Sequence, residues 1–358
     1  MRTALLRRGL VACALGLVVV AGPAAAQQTI RYGFGTGTVP SALEVSLTLP
    51  MHQSIGWYKE EGITFEPYNF SGALAGMQAL AGGQVDFANV VPTGLADLKA
   101  RHAGVEIACV YNWTPKIHWE IAVLPDSPVQ KLEDLKGQQI GVNTMGDSVV
   151  QGVQASAKRL GWGPSGLQLI VVGFDMSAAN ALITKRVAAW ATYDSPLAVV
   201  AGLGVRLRTL PHPAEWNLPG TCIATSRAVM RERPEVVRRF LRVVTKALVF
   251  AMQNPRVATE LHADLFPAVL FKDRSYDESV KAREMQLRAR LERQVPLKGL
   301  RWGEFDPGTV RNAVDIQGVG DRVTAESLFT NDYLELANTI DFAAVRAQAG
   351  RTQPSGKR

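Results

Sequence analysis

A segment that ends a helix, turns and enters an apolar strand occurs twice in this chain. Residues 79–92 read ALAGGQVDFANVVP and residues 181–196 read ALITKRVAAWATYDSP, with Ala79-Leu80, Val85 and Pro92 answered by Ala181-Leu182, Val187 and Pro196. Upstream, IRYGFGTGT at 30–38 is matched by IGVNTMGDS at 140–148, each an apolar run ending in a small-residue turn that opens a helix. Two pairs in the same order, about a hundred residues apart, predict two related α/β lobes. A chain built this way has its natural ligand site in the crevice between the lobes.

The first 26 residues read as an export signal. Arg2, Arg7 and Arg8 form a basic start, Leu10–Val20 a short apolar core, and Ala24-Ala25-Ala26 a cleavage site before Gln27. The apolar run is shorter than a membrane-spanning helix requires, and no later segment reaches that length. The expectation is a periplasmic protein delivered by ordinary secretion. Arg7-Arg8 lacks the surroundings of a twin-arginine signal, and Cys13 sits inside the apolar core as a small apolar residue. Removing three arginines and no acid lowers the formal charge from +7 to +4. That charge is interleaved with acids, which points away from nucleic acid. Cys109 and Cys222 remain, too few and too far apart for a redox or zinc spacing. An oxidising compartment would let them pair, whereas the usual burial of cysteine favours two free thiols.

Short β-branched or aromatic runs alternate with helix-length amphipathic stretches, the pattern of α/β lobes with largely parallel sheets. Strands are expected at 30–34, 63–68, 85–90, 106–111, 139–142, 167–172, 188–192 and 205–210, and at 221–225, where the chain re-enters the first lobe. Helices are expected at 43–61, 73–81, 94–102, 148–160 and 177–184. Pro234 opens another, with Val237, Phe240, Leu241, Val244 and Leu248 at core spacing. On its other face Arg238, Arg239 and Arg242 form a solvated stripe or, less economically, a dock for an acidic partner. The expected organisation is a signal at 1–26, a first lobe at 27–124 completed by mostly helical chain at 221–350, a second lobe at 125–220, and a disordered tail at 351–358.

Three stretches resemble a known family. MQALAGGQVDFANV at 77–90, SPVQKLEDLKGQQIGVNTMGDS at 127–148 and the helix end RLGWGP at 159–164 are similar to the periplasmic solute-binding proteins of the nitrate/sulfonate/taurine and thiamine-pyrimidine-precursor ABC importers. The resemblance runs from about Ile30 to Phe342. It implies a bilobed periplasmic-binding-protein fold of type II, two α/β lobes joined by crossing strands. It also implies hinge closure on a small molecule and delivery to an ABC permease in the inner membrane, with the protein acting as a monomer and without a cofactor. The second repeat departs from the family pattern, since Gly83-Gln84-Val85-Asp86 becomes Lys185-Arg186-Val187-Ala188. The cysteine-rich signature of the yeast-type pyrimidine synthases in this group is absent, which weighs against a secreted enzyme on the same fold. A receptor presenting ligand to a membrane sensor is a third reading.

In α/β sheets, ligands sit beyond the carboxyl ends of the strands, where helix N-termini offer unpaired N–H groups. That rule selects Thr36, Gly37, Thr38, Phe70, Ser71, Gly72, Pro92, Thr93, Asn112 and Trp113 from the first lobe. From the second it selects Met145, Gly146, Asp147, Phe174, Tyr193 and Asp194. Phe70, Trp113, Phe174 and Tyr193 offer stacking surfaces. Ser71, Asp147 and Asp175 serve equally well as helix caps, and Trp113 as a core residue. Tyr193-Asp194-Ser195-Pro196 is the sharpest candidate, because the resembling proteins carry an aromatic, an acid and a proline along the cleft here. With Asp147, Asp175 and Asp194 near the cleft and Lys116 the only base close by in sequence, the expected ligand is a small planar organic molecule, neutral or rich in N–H donors. An aromatic carboxylate or sulfonate held by helix N-termini is the alternative. Catalytic and metal readings find little support. His52, His102, His118, His212 and His262 lack metal-ligand spacing, and Ser195 lies in no nucleophile elbow.

Overall fold

The computed structural model describes residues 27–35 and 39–354. The expected export signal, residues Thr36, Gly37 and Thr38, and the last four residues of the expected tail lie outside them. Two five-stranded mixed sheets form the centre of two α/β layers. The first contains β1 (Gln28–Phe34), β2 (Ile63–Asn69), β3 (Phe87–Val90), β4 (Ile107–Tyr111) and β10 (Cys222–Ser226), in the order β2-β1-β3-β10-β4. The second contains β5 (Trp119–Val123), β6 (Gln139–Val142), β7 (Gln168–Val171), β8 (Ala189–Tyr193) and β9 (Arg208–Thr209), in the order β7-β6-β8-β5-β9. Three parallel strands followed by one antiparallel strand recur in both. The repeat seen in the sequence is thus a repeat of sheet topology.

The register corrects the alignment of the first repeated strand. Tyr32 pairs with Phe87 as Ile140 pairs with Ala189, so Tyr32 and Ile140 are equivalent and the match of Ile30 with Ile140 is two residues out of step. This explains the lost acid of the second repeat. Asp86 receives Arg31 N–H at 2.9 Å and pairs with its guanidinium, whereas the strand residue equivalent to Arg31 is Gln139, and Ala188 keeps only the backbone bond to it at 2.8 Å. The turn survives too. Gly83 and Lys185 both have positive φ, 71° and 56°, so the lysine holds the left-handed conformation that glycine adopts at lower cost.

The longer helices cover both faces of each sheet. They are α1 (Ala73–Ala81), α2 (Pro92–Arg101), α3 (Ser148–Arg159), α4 (Asp175–Ile183), α5 (Asp194–Gly202), α6 (Pro234–Gln253), α7 (Pro255–Leu265), α8 (Tyr276–Gln294), α9 (Pro307–Gln317) and α10 (Phe342–Arg351). The apolar stripe of α6 is buried against β1 and β3, with Phe240 among Tyr32, Phe65 and Phe87. Its arginines are held within the chain: Arg238 pairs with Glu235, while Arg239 donates to the Glu61 carbonyl and Arg242 to the Glu61 carboxylate. The continuous helix expected at 43–61 is instead a series of short turns. Pro50 removes a backbone donor, and Gly56 takes φ 66°, which ends the run before Trp57.

β5 lies in the second sheet, so the first crossing comes at 112–118, ahead of the boundary expected at 124. The return crossing occupies 210–221. The two crossings bond to each other through Thr114 N–H to the Thr221 carbonyl and Gly220 N–H to the Thr114 carbonyl, both 2.8 Å. At the crossing, Cys109 of β4 and Cys222 of β10 form a disulfide, which corrects the preference for free thiols. Strand adjacency brings together two residues 113 positions apart. Arg351 closes α10 and Thr352 N–H bonds the Gln348 carbonyl, so the expected tail starts with ordered chain. Among the described residues, no helix is long and apolar enough to cross a membrane.

Candidate functional site

The loops after β2, β3, β6, β7 and β8 open onto one cavity of about 630 Å³ between the two sheets. Parallel strands all point their carboxyl ends the same way, so the helices that follow them present their N-termini together. Gly72 precedes α1, Ser148 begins α3, Phe174 caps α4 and Tyr193 caps α5, and all four reach the cavity. Gly35 closes the floor, where an added Cβ would lie 2.9 Å from the Ala73 backbone.

The charged residues here come from elements the sequence did not link to the cleft. Helix α8 packs against α5, α7 and the turn at Ser41, and it aims Arg290 between the sheets. Arg290 Nη2 donates to Asp194 Oδ1 at 2.8 Å and to Ser195 Oγ at 3.3 Å, and Nε donates to both Asp194 oxygens at 3.2 Å. Both side chains are almost fully enclosed. Nη1 makes no hydrogen bond among the described residues, and Arg290 lines the cavity. One turn on, Arg293 Nη2 donates to Glu120 Oε1 at 2.7 Å, tying α8 to the second sheet again.

Four further polar groups face the same space. Glu44 is 2% exposed, and burial pushes its carboxyl up to about 7 against the opposing pull of Ser41 and Arg290. Its Oε2 accepts the Ser41 N–H at 3.0 Å together with the Ser41 hydroxyl. His118 is buried, and desolvation with Arg290 and Arg293 nearby holds its imidazole well below the usual range, hence neutral. Its Nδ1 has no partner and abuts Gly220, where a Cβ would come within 2.5 Å. Asn89 Oδ1 accepts the Tyr32 hydroxyl, which burial keeps protonated. Asp147 accepts Thr144 N–H at 3.2 Å and the Thr144 hydroxyl at 3.1 Å, and partial burial raises its pKa.

Of the residues selected from sequence, Ser71, Gly72, Trp113, Gly146, Asp147, Phe174 and Tyr193 line this cavity. Trp113 is a core residue at the same time, with Nε1 donating to Ser46 Oγ at 2.9 Å. The Tyr193 ring packs at a tilt against His118, with centroids 5.3 Å apart. The others fall elsewhere. Phe70 packs beneath β1 against Gly33, and Asn112 is bonded to Gly303 and Glu304 at the β4 edge of the sheet. Pro92 and Thr93 are buried in the first turn of α2. Met145 turns outward to a separate groove beside α3. Asp194 stands behind Arg290 with its oxygens engaged, so its expected role as direct acceptor for a ligand is corrected. The cap roles of Ser71 and Asp147 are corrected as well, since neither makes a capping bond. Glu44, Asn89, His118 and Arg290 were missed. Only the Ser41-x-x-Glu44 capping box was visible in the sequence, and it signals a helix start, not a site.

The model of the family described as NMT1/THI5 like matches residues 48–258. A curated relative, the riboflavin-binding protein RibY of Chloroflexus aurantiacus, is 26% identical over 227 residues, 63% of this chain. The chain spans 64% of the length of that relative. The periplasmic aliphatic sulphonate-binding protein SsuA of Escherichia coli superposes with a TM-score of 0.62 at 15% identity, over 84% of this chain and 91% of its own. The alkanesulfonate-binding protein SsuA of Xanthomonas axonopodis, solved with MOPS, gives 0.60 at 16% identity over 86% of this chain and all of its own. The architecture is that of the periplasmic binding proteins.

Proposed function

Since the chain belongs to the NMT1/THI5-like family, we propose that it is an extracytoplasmic solute-binding protein of the ABC-importer type. It holds a small planar organic molecule between its lobes and passes it to a permease. The observation that carries this reading is the convergence of helix N-termini and enclosed polar side chains on one cavity between two separately built sheets. A binder needs such enclosure, with few polar groups placed to fix orientation. The Cys109–Cys222 disulfide supports an oxidising compartment, in keeping with the signal read at 1–26.

The electrostatics favour a ligand without net charge. Arg290 and Asp194 cancel each other, and the carboxyls of Glu44 and Asp147 are pushed toward their neutral forms. A simple anion would find one cation already paired. A heterocycle with both donors and acceptors suits the mixed wall, while Tyr193, Phe174 and Trp113 offer apolar faces. A flavin, as bound by the RibY relative, belongs to this chemical class.

Native mass spectrometry of freshly purified protein tests the reading, followed by thermal titration with riboflavin, thymine and taurine. A stoichiometric complex that raises the melting temperature without turnover is the expected result. At a hundredfold excess over the dissociation constant, the gain is about 2.7 kcal/mol. Chemical conversion of the bound molecule would overturn the reading, as would an empty cleft that takes none of these compounds.

A further inference from the structure

The inference here rests on the cavity being the ligand site and concerns the group that the site recognises. Glu44, Asn89, His118 and Arg290 each have more than nine-tenths of their surface enclosed, yet all four line the cavity. Buried polar groups normally find partners within the protein. Here each keeps a hydrogen-bonding position without a partner among the described residues, and what each position offers can be assigned.

Arg290 Nη1 can only donate. The Tyr32 hydroxyl fixes Asn89 with Oδ1 turned inward, so Nδ2 is left as a donor. His118 is neutral with Nδ1 against Gly220 and no acceptor beside it. A buried N–H without an acceptor is the rarer defect, so the proton resides on Nε2. Glu44 differs. Ser41 occupies Oε2 through both its backbone and hydroxyl donors, and Oε1 remains an acceptor without a donor. Burial raises this carboxyl to about 7 even though Ser41 and Arg290 pull it down.

We propose that this wall of one acceptor among donors reads a cyclic imide edge, two carbonyl oxygens flanking a ring N–H. The ring N–H donates to Glu44 Oε1, and the carbonyls accept from Arg290 Nη1 and from Asn89 Nδ2 or His118 Nε2. Such an edge carries no net charge, matching the cancelled Arg290–Asp194 pair. Leaving Glu44 or Arg290 unmatched in an enclosed site would cost affinity, which makes the arrangement selective.

The test compares riboflavin and thymine with their 3-methyl analogues by titration calorimetry on the full mature chain. Methylation replaces the ring N–H between the carbonyls by a methyl group and leaves both carbonyls in place, and it is expected to weaken binding at least about tenfold. Glu44→Gln supplies the second arm. Ser41 holds the amide oxygen, so the NH₂ group turns toward the ligand and opposes the imide N–H. Imide binding should fall at least about tenfold while the far-UV spectrum is retained and the apo melting temperature does not fall. Methyl analogues that bind as tightly as their parents would overturn the inference. So would a co-purified or titrated cleft ligand lacking an imide while both imides fail to bind, and in that case the solute-binding reading would stand. Absence of any cleft ligand would defeat the solute-binding reading itself.

Discussion

Replacing Asp194 by alanine tests how the cleft is held together. The carboxylate meets Arg290 through three contacts of 2.8–3.2 Å, and the two side chains are 6% and 5% exposed. Without it, the guanidinium keeps only Ser195 Oγ at 3.3 Å inside an enclosed site. Removing one partner of a buried ion pair costs about 3–5 kcal/mol, most of it the penalty of the stranded charge. The adjoining cavity admits water to Nη1, so the lower end, about 3 kcal/mol, is expected. For a chain of this size that corresponds to a melting shift of roughly 4 °C. Urea unfolding followed by circular dichroism measures it, with Arg290→Met and the double variant completing a cycle. The double variant should recover much of the loss, because a paired deletion strands no charge. A single-variant loss under about 1 kcal/mol, additive with Arg290→Met, would refute the reasoning. Reading Asp194 as a ligand acceptor predicted the opposite: lost affinity with an almost unchanged apo protein.

Three other outcomes follow from the same structure. Glu44 has its folded-state pKa raised from 4.5 to about 7, so its burial costs nothing below the lower value and progressively more as pH rises through the upper one. Stability should decline by roughly 3 kcal/mol across that window in urea titrations. Glu44→Gln should flatten the decline, and a slope unchanged in the variant would assign it to other groups. Gly152→Ala places a Cβ 2.3 Å from the Trp119 ring, which is held by Ser148 at 2.9 Å and set edge-on to Trp216. A loss of about 1–3 kcal/mol is expected, and an unchanged melting temperature would show that the ring can move aside. Replacing Cys109 and Cys222 together by alanine releases a chain closure of 113 residues and should lower stability by about 2–4 kcal/mol. Equal denaturant midpoints with and without the bond would contradict that.

Local elements were legible where a single period dominates. The α6 stripe from Val237 to Leu248 was read from 3.6-residue spacing. β5 escaped because Trp119-Glu120-Ile121-Ala122-Val123 is buried throughout, so polar and apolar positions do not alternate. Glu120 within it is made tolerable by Arg293 and His212, partners that no local pattern announces. The disulfide escaped for a related reason. The return of the chain as β10 was foreseen, yet the register that sets Cys222 beside Cys109 is fixed only by the sheet.

The sign of the cleft shows most clearly what a loop-by-loop reading cannot see. Counting Asp147, Asp175 and Asp194 against Lys116 suggested an acidic site waiting for donors. In the structure Thr144 holds Asp147, Arg290 holds Asp194, and Arg283 of α8 lies near Asp175. The compensating arginines arrive on one helix about a hundred residues further along, whose exposed and buried charges look alike in sequence. A neutral ligand still follows, but from cancellation: the charges of the cleft satisfy one another and leave neutral donors and a reluctant carboxyl to make the contacts. Such a site discriminates by the placement of hydrogen bonds more than by charge. Its affinity should therefore depend only weakly on ionic strength, whereas an anion-binding cleft would lose affinity with added salt, and a titration from low to moderate salt separates the two.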